Sequence, residues 1–169
     1  MRKLLIIALF FLPFGIHAQV NKKSHFILGT GVAFSGNNDA YKSGFAYDVS
    51  INLSLEYNFL EKTSVGLKAG LESGRTISGK STSTYSSGIF IRQYLLAGLN
   101  IQAAYLFNNL NSNLFQGIVG YSFYAGSIFI IEPSVEYGKY LKSKVNDDYI
   151  AFGLGFRFRT KVEGWLRQS

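Results

Sequence analysis

The chain has 169 residues and a mass of 18.8 kDa, the length of one domain. Hydrophobic residues make up 47% of it and charged residues only 16%, where a soluble domain carries about a quarter charged. It has no cysteine, which excludes a disulfide scaffold and a thiolate-bound metal, and its 18 glycines follow no strict period, which excludes a collagen-like chain. The formal charge of +7, taken alone, points toward nucleic acid.

The first segment is a targeting signal. Met1-Arg2-Lys3 is a positive start, Leu4 to Phe14 is nearly unbroken apolar sequence, and Ile16-His17-Ala18 before Gln19 resembles a cleavage site. Residues 1–18 are therefore expected to be a secretory signal peptide. Leu4 to Ile16 is too short for the ~20 apolar residues of a spanning helix, and no cysteine follows to carry a lipid anchor. Losing Arg2 and Lys3 leaves 15 basic against 10 acidic residues, a mature charge of +5.

After the signal the period is two. Ser24 to Phe34 puts Phe26, Leu28, Thr30, Val32 and Phe34 on one face and Ile27, Gly29, Gly31 and Ala33 on the other. Residues 45–59 are the clearest strand: Phe45, Tyr47, Val49, Ile51, Leu53, Leu55, Tyr57 and Phe59 alternate with Ala46, Asp48, Ser50, Asn52, Ser54, Glu56 and Asn58. Ser64 to Gly74 sets Val65, Leu67, Ala69 and Leu71 against Gly66, Lys68, Gly70 and Glu72. Gly88 to Leu95 sets Ile89, Ile91 and Leu95 against Phe90, Arg92 and Tyr94. Gly98 to Phe107 follows, then Asn113 to Tyr124, Ser127 to Gly138 and Tyr149 to Arg159. That makes eight strands and no helix, with the barrel over residues 19–159 and a tail over 160–169. Ile89 to Phe107 also fits one 19-residue strand; the split at Leu96-Ala97-Gly98 keeps the count even, as a barrel returning both termini to one side requires. Pro133 lies inside the seventh strand, where the missing N–H predicts a bulge or an edge.

The connections alternate in length. Ser35–Gly44, Arg75–Ser87, Asn108–Ser112 and Lys139–Asp148 are polar and mostly long, while Leu60–Thr63, Leu96–Ala97 and Ala125–Gly126 are short. This is the layout of an antiparallel up-and-down barrel with loops at one end and turns at the other.

Alternation does not say which face is outside. A soluble exported barrel binding an apolar ligand in its interior would bury Tyr47, Ile51 and Leu55 and wet Asp48, Asn52 and Glu56. Three features favour the reverse. The polar parity is rich in Gly, Ala, Ser and Asn, as a narrow lumen needs. Its charges are mixed, with Asp48, Glu56, Glu72, Glu132 and Glu136 against Lys68, Arg92 and Arg157, so they can neutralise one another. Aromatics gather near strand ends, at Phe45, Tyr57, Phe59, Phe107, Tyr121, Phe123, Tyr137, Tyr149, Phe156 and Phe158, like girdles at two membrane interfaces.

With these residues in view, the chain resembles the small outer-membrane barrels of the OmpA transmembrane-domain and OmpX type, and the outer membrane protein beta-barrel domain families. Ser54 to Gly70 is similar to their strand–turn–strand, and Gly88 to Tyr94 to their fourth strand. Gly153-Leu154-Gly155-Phe156-Arg157-Phe158 resembles the insertion signal read by the barrel-assembly machinery, although eleven residues, Arg159 to Ser169, follow it. The resemblance implies an all-β, eight-stranded transmembrane barrel in the outer membrane, a monomer whose partners are membrane lipid and the assembly machinery. It implies no activity.

Little chemistry stands out. His25 is the one histidine left after signal removal; a catalytic triad would need serine and carboxylate around it, and a solvated or interfacial histidine at the periplasmic rim is the plainer expectation. No catalytic, cofactor or metal residue is assigned. Asp147-Asp148 falls far short of a calcium motif, and the glycines at 29, 31, 153 and 155 precede no helix, so they cradle no phosphate. Arg75, Lys80, Lys139, Lys142 and Lys144 lie in or beside predicted loops, where they fit either lipopolysaccharide phosphates or plain solvation. Nucleic acid drops out once the aromatics are assigned to lipid. Glu56, Lys68, Glu72, Arg92, Glu132 and Arg157 are the lumen charges, expected to fill the interior as a plug.

Overall fold

The computed structural model describes residues 25–37, 46–75, 81–95, 98–109, 113–141 and 148–161. The predicted signal peptide, Ser24, Phe45, Lys80, Lys142, Lys144 and Asp147 lie outside them. Every described element is a strand or a turn: β1 (His25–Asn37), β2 (Ala46–Asn58), β3 (Thr63–Arg75), β4 (Ser81–Tyr94), β5 (Leu99–Asn108), β6 (Asn113–Tyr121), β7 (Phe123–Ala125), β8 (Phe129–Tyr140) and β9 (Asp148–Lys161). All pairings are antiparallel and join neighbours in sequence, except that β6 pairs with β8 and β9 pairs with β1 to close the sheet. β6 and β7 both pair with β8 and form one stave, so the barrel has eight.

Closure has a definite stagger. Following partners from His25 through Asn58, Ser64, Arg92, Gln102, Ile118, Glu136 and Ala151 returns to β1 at Ser35, ten residues along the strand. Eight strands with that shear tilt by about 40° and enclose a backbone radius of roughly 8 Å. Only side chains fit inside. From His25 to Ala151 every residue on this row is buried, so the row winds through the lumen.

The opposite parity faces out. Leu53, Leu67, Ile89 and Phe152 are 59%, 60%, 61% and 68% exposed, whereas Glu56, Arg157 and Ile27 are 1%, 3% and 0%. The apolar-interior alternative is thereby overturned: Ile51 and Leu55 are exposed and Glu56 is buried. An apolar band this continuous is costly in water, at about 25 cal/mol per Å², and suits lipid. A closed ladder also satisfies the backbone polar groups that lipid cannot.

Several boundaries differ from the sequence reading. Ser81–Ser87, expected in a long loop, is strand, with Arg75 opposite Ser81. Its run of Ser and Thr has no apolar parity, because this end of the hairpin carries hydroxyls on its outer face at Ser73 and Ser83 rather than a greasy band. Ser35 to Asn37 belongs to β1, Asn108 to β5, Lys139 and Tyr140 to β8, and Asp148 to β9. β9 continues through Thr160 and Lys161, two residues past the expected barrel end. β4 ends at Tyr94 and β5 starts at Leu99, so Ile89 to Phe107 is two strands, as the split expected.

Pro133 is neither at a bulge nor on an edge. The pairs Gly120–Ser134 and Phe123–Ile131 share one register, so no residue is inserted. The ladder lapses at Tyr121 and Ser122 because proline has no N–H to give, and that lapse separates β6 from β7. The intact pairing of Pro133 with Leu154 keeps the other side closed.

The turns explain themselves locally. Leu60 and Thr63 exchange backbone hydrogen bonds at 3.2 and 3.4 Å. Gly98 and Gly126 have φ of +88° and +78°, conformations open to glycine at little cost; the last turn is Gly126–Ile128 rather than Ala125–Gly126, and β8 starts at Phe129, not Ser127.

Candidate functional site: the charged lumen

The period-two pattern turns Glu56 on β2, Arg92 on β4, Glu132 on β8 and Arg157 on β9 toward one another. Arg92 donates from Nη1 to both oxygens of Glu132 at 2.9 Å. Arg157 donates from Nη1 to Glu132 Oε2 at 2.8 Å and from Nη2 to Glu56 Oε2 at 2.6 Å. Arg92 Nε lies 3.7 Å from Glu56 Oε2. Two guanidinium groups thus hold two carboxylates in a square, with all four side chains no more than 7% exposed.

Neutral partners complete the square. Tyr94 donates its hydroxyl to Glu56 Oε1 at 2.6 Å and receives a bond from Arg157, and Ser64 also donates to Glu56. Asn100 and Ser122 donate to Glu132 Oε2 at 3.0 and 2.8 Å. Gln102 accepts from Arg92 Nε at 3.1 Å. The Arg92 guanidinium lies over the rings of Phe90 and Tyr94 at 5.7 and 6.0 Å. Buried charges survive when they are paired and hydrogen-bonded; each of the four charged groups here is paired, while Arg157 Nε makes no hydrogen bond.

A second layer lies toward the loop end. Lys68 Nζ donates to Gln116 Oε1 at 2.7 Å, and Gln116 donates to Glu136 Oε2 at 2.6 Å and to the Tyr149 hydroxyl at 3.1 Å. Beside it Phe90, Ala104, Leu106 and Leu114 form an apolar patch inside the lumen, backed by Tyr140 and Tyr149. Tyr149 was assigned to an outer girdle; it turns inward instead. It does so over Gly138, its register partner, where a Cβ would collide with the Tyr149 ring. Phe90 fills the space over Gly66 in the same way.

The sequence grouping of lumen charges is correct in its side and sign balance. Glu56, Glu132, Arg92 and Arg157 do come together, and Lys68 joins Glu136 through Gln116. Glu72 is half-buried at the loop end, where it takes a hydrogen bond from Tyr140 and lies near Asp48. The roles of Ser64 and Tyr94 were missed, because parity gives a side but not a partner. His25 differs from expectation: it is 5% exposed and faces the lumen rather than solvent. Lys139 is exposed, and Asp148 accepts a 2.7 Å bond from Tyr137 rather than sitting in a free loop. Among the described residues, no three His, Asp or Glu side chains gather as a metal site.

No family model matches the chain, and no curated protein matches it by sequence. Solved structures do match. Neisserial surface protein A superposes with a TM-score of 0.55 at 13% identity, over 81% of this chain and 96% of that one. Ail, the attachment invasion locus protein of Yersinia pestis, gives 0.53 at 17% identity, over 82% of this chain and 100% of that one. The fold is that of a small outer-membrane β-barrel. OprG, an outer membrane protein of Pseudomonas aeruginosa, gives 0.53 at 14% identity over 85% and 99%. At such identities the barrels share architecture, and the lumen square belongs to this barrel's own side chains.

Proposed function

We propose that this barrel is a non-enzymatic outer-membrane protein whose role is structural, adhesive or interactive, carried by the segments around residues 38–45, 76–80 and 142–147. The observation that carries the reading is the lumen: Glu56, Arg92, Glu132 and Arg157 are consumed in holding one another, and the polar segments between strands are left to meet partners. Export through a cleaved signal peptide, insertion by the barrel-assembly machinery through β9, and a monomeric state belong to the same reading. The closed ladder supports the last of these, since it leaves no strand pair unmade between staves. The apolar outer face is covered by membrane lipid.

The basic residues Arg75, Lys80, Lys139, Lys142 and Lys144 favour an anionic partner at the loop end, with lipopolysaccharide phosphates the nearest source. Ail has been solved with the heparin analogue sucrose octasulfate, a polyanion bound by a barrel of this fold. Retention of the detergent-folded barrel on immobilised lipopolysaccharide tests this. Retention that falls with salt, and is lost when the five residues become Gln, is expected; equal retention of the two proteins would leave the loops without that partner. His25→Ala leaving the lipid A composition of the cells unchanged is expected of a non-enzyme, and an altered composition would contradict it.

A further inference from the structure

No further inference is drawn: the strongest candidate, the loop-end edge of β4 at Ser81–Thr84, which keeps its pairing with β3 past the last β4–β5 pair at Ser86 and Asn108, borders residues 110–112, which lie outside the described residues, and nothing in the structure shows what covers it.

Discussion

Glu132 Oε2 accepts hydrogen bonds from Arg92, Arg157, Asn100 and Ser122 at 2.8–3.0 Å. Removing one cation therefore leaves the buried square with one negative charge too many. Arg157→Met should cost about 3–5 kcal/mol, the range for breaking a buried pair from one side, read as a lower urea midpoint for unfolding from detergent micelles. Replacing Arg157 by Met and Glu132 by Gln together should cost less than the sum of the two single changes. Glycine matters at Gly66 for a different reason. A Cβ there would meet the Phe90 ring and the Leu55 carbonyl, so Gly66→Val should destabilise by about 1–3 kcal/mol in the same titration, whereas Gly117→Val, where a Cβ meets nothing, should stay near wild type. At this scale parity assigns sides but not partners: Glu56 and Arg157 are 101 residues apart, and only closure of the barrel makes them neighbours.

Strands were legible wherever one face meets lipid and the other the lumen. β2 shows this best, from Val49 out and Ser50 in to Tyr57 out and Asn58 in. Legibility failed at Ser81–Ser87, where both parities are mostly Ser and Thr, so the solvent-side part of β4 was mistaken for loop. The two regimes predict opposite tolerance. Leu53→Arg, in the apolar band, should lower stability by about 2–4 kcal/mol, while Ser83→Arg, beyond the band, should cost no more than about 1 kcal/mol. Pro133 marks an element-scale weakness of another kind. Pro133→Val restores one ladder donor and should stabilise by roughly 0.5–1.5 kcal/mol, with slower amide exchange at Tyr121 and Phe123; unchanged exchange would mean the lapse has another cause.

For the whole molecule, an even strand count, an alternation of loops with turns and a polar parity poor in charge were enough to indicate a closed barrel. The shear of ten was not legible, because it is the sum of eight registers and no single hairpin reveals it. Shear in turn sets a radius that side chains can fill, and the lumen square closes what remains. The measurement that tests this account most directly is electrophoresis in SDS of the protein from the outer-membrane fraction, unboiled and boiled. A closed barrel with lipid outside and bonded charges inside should resist SDS and migrate differently until heated. Identical migration of the two samples, with the protein recovered in the soluble fraction, would contradict an apolar outer face and a polar lumen.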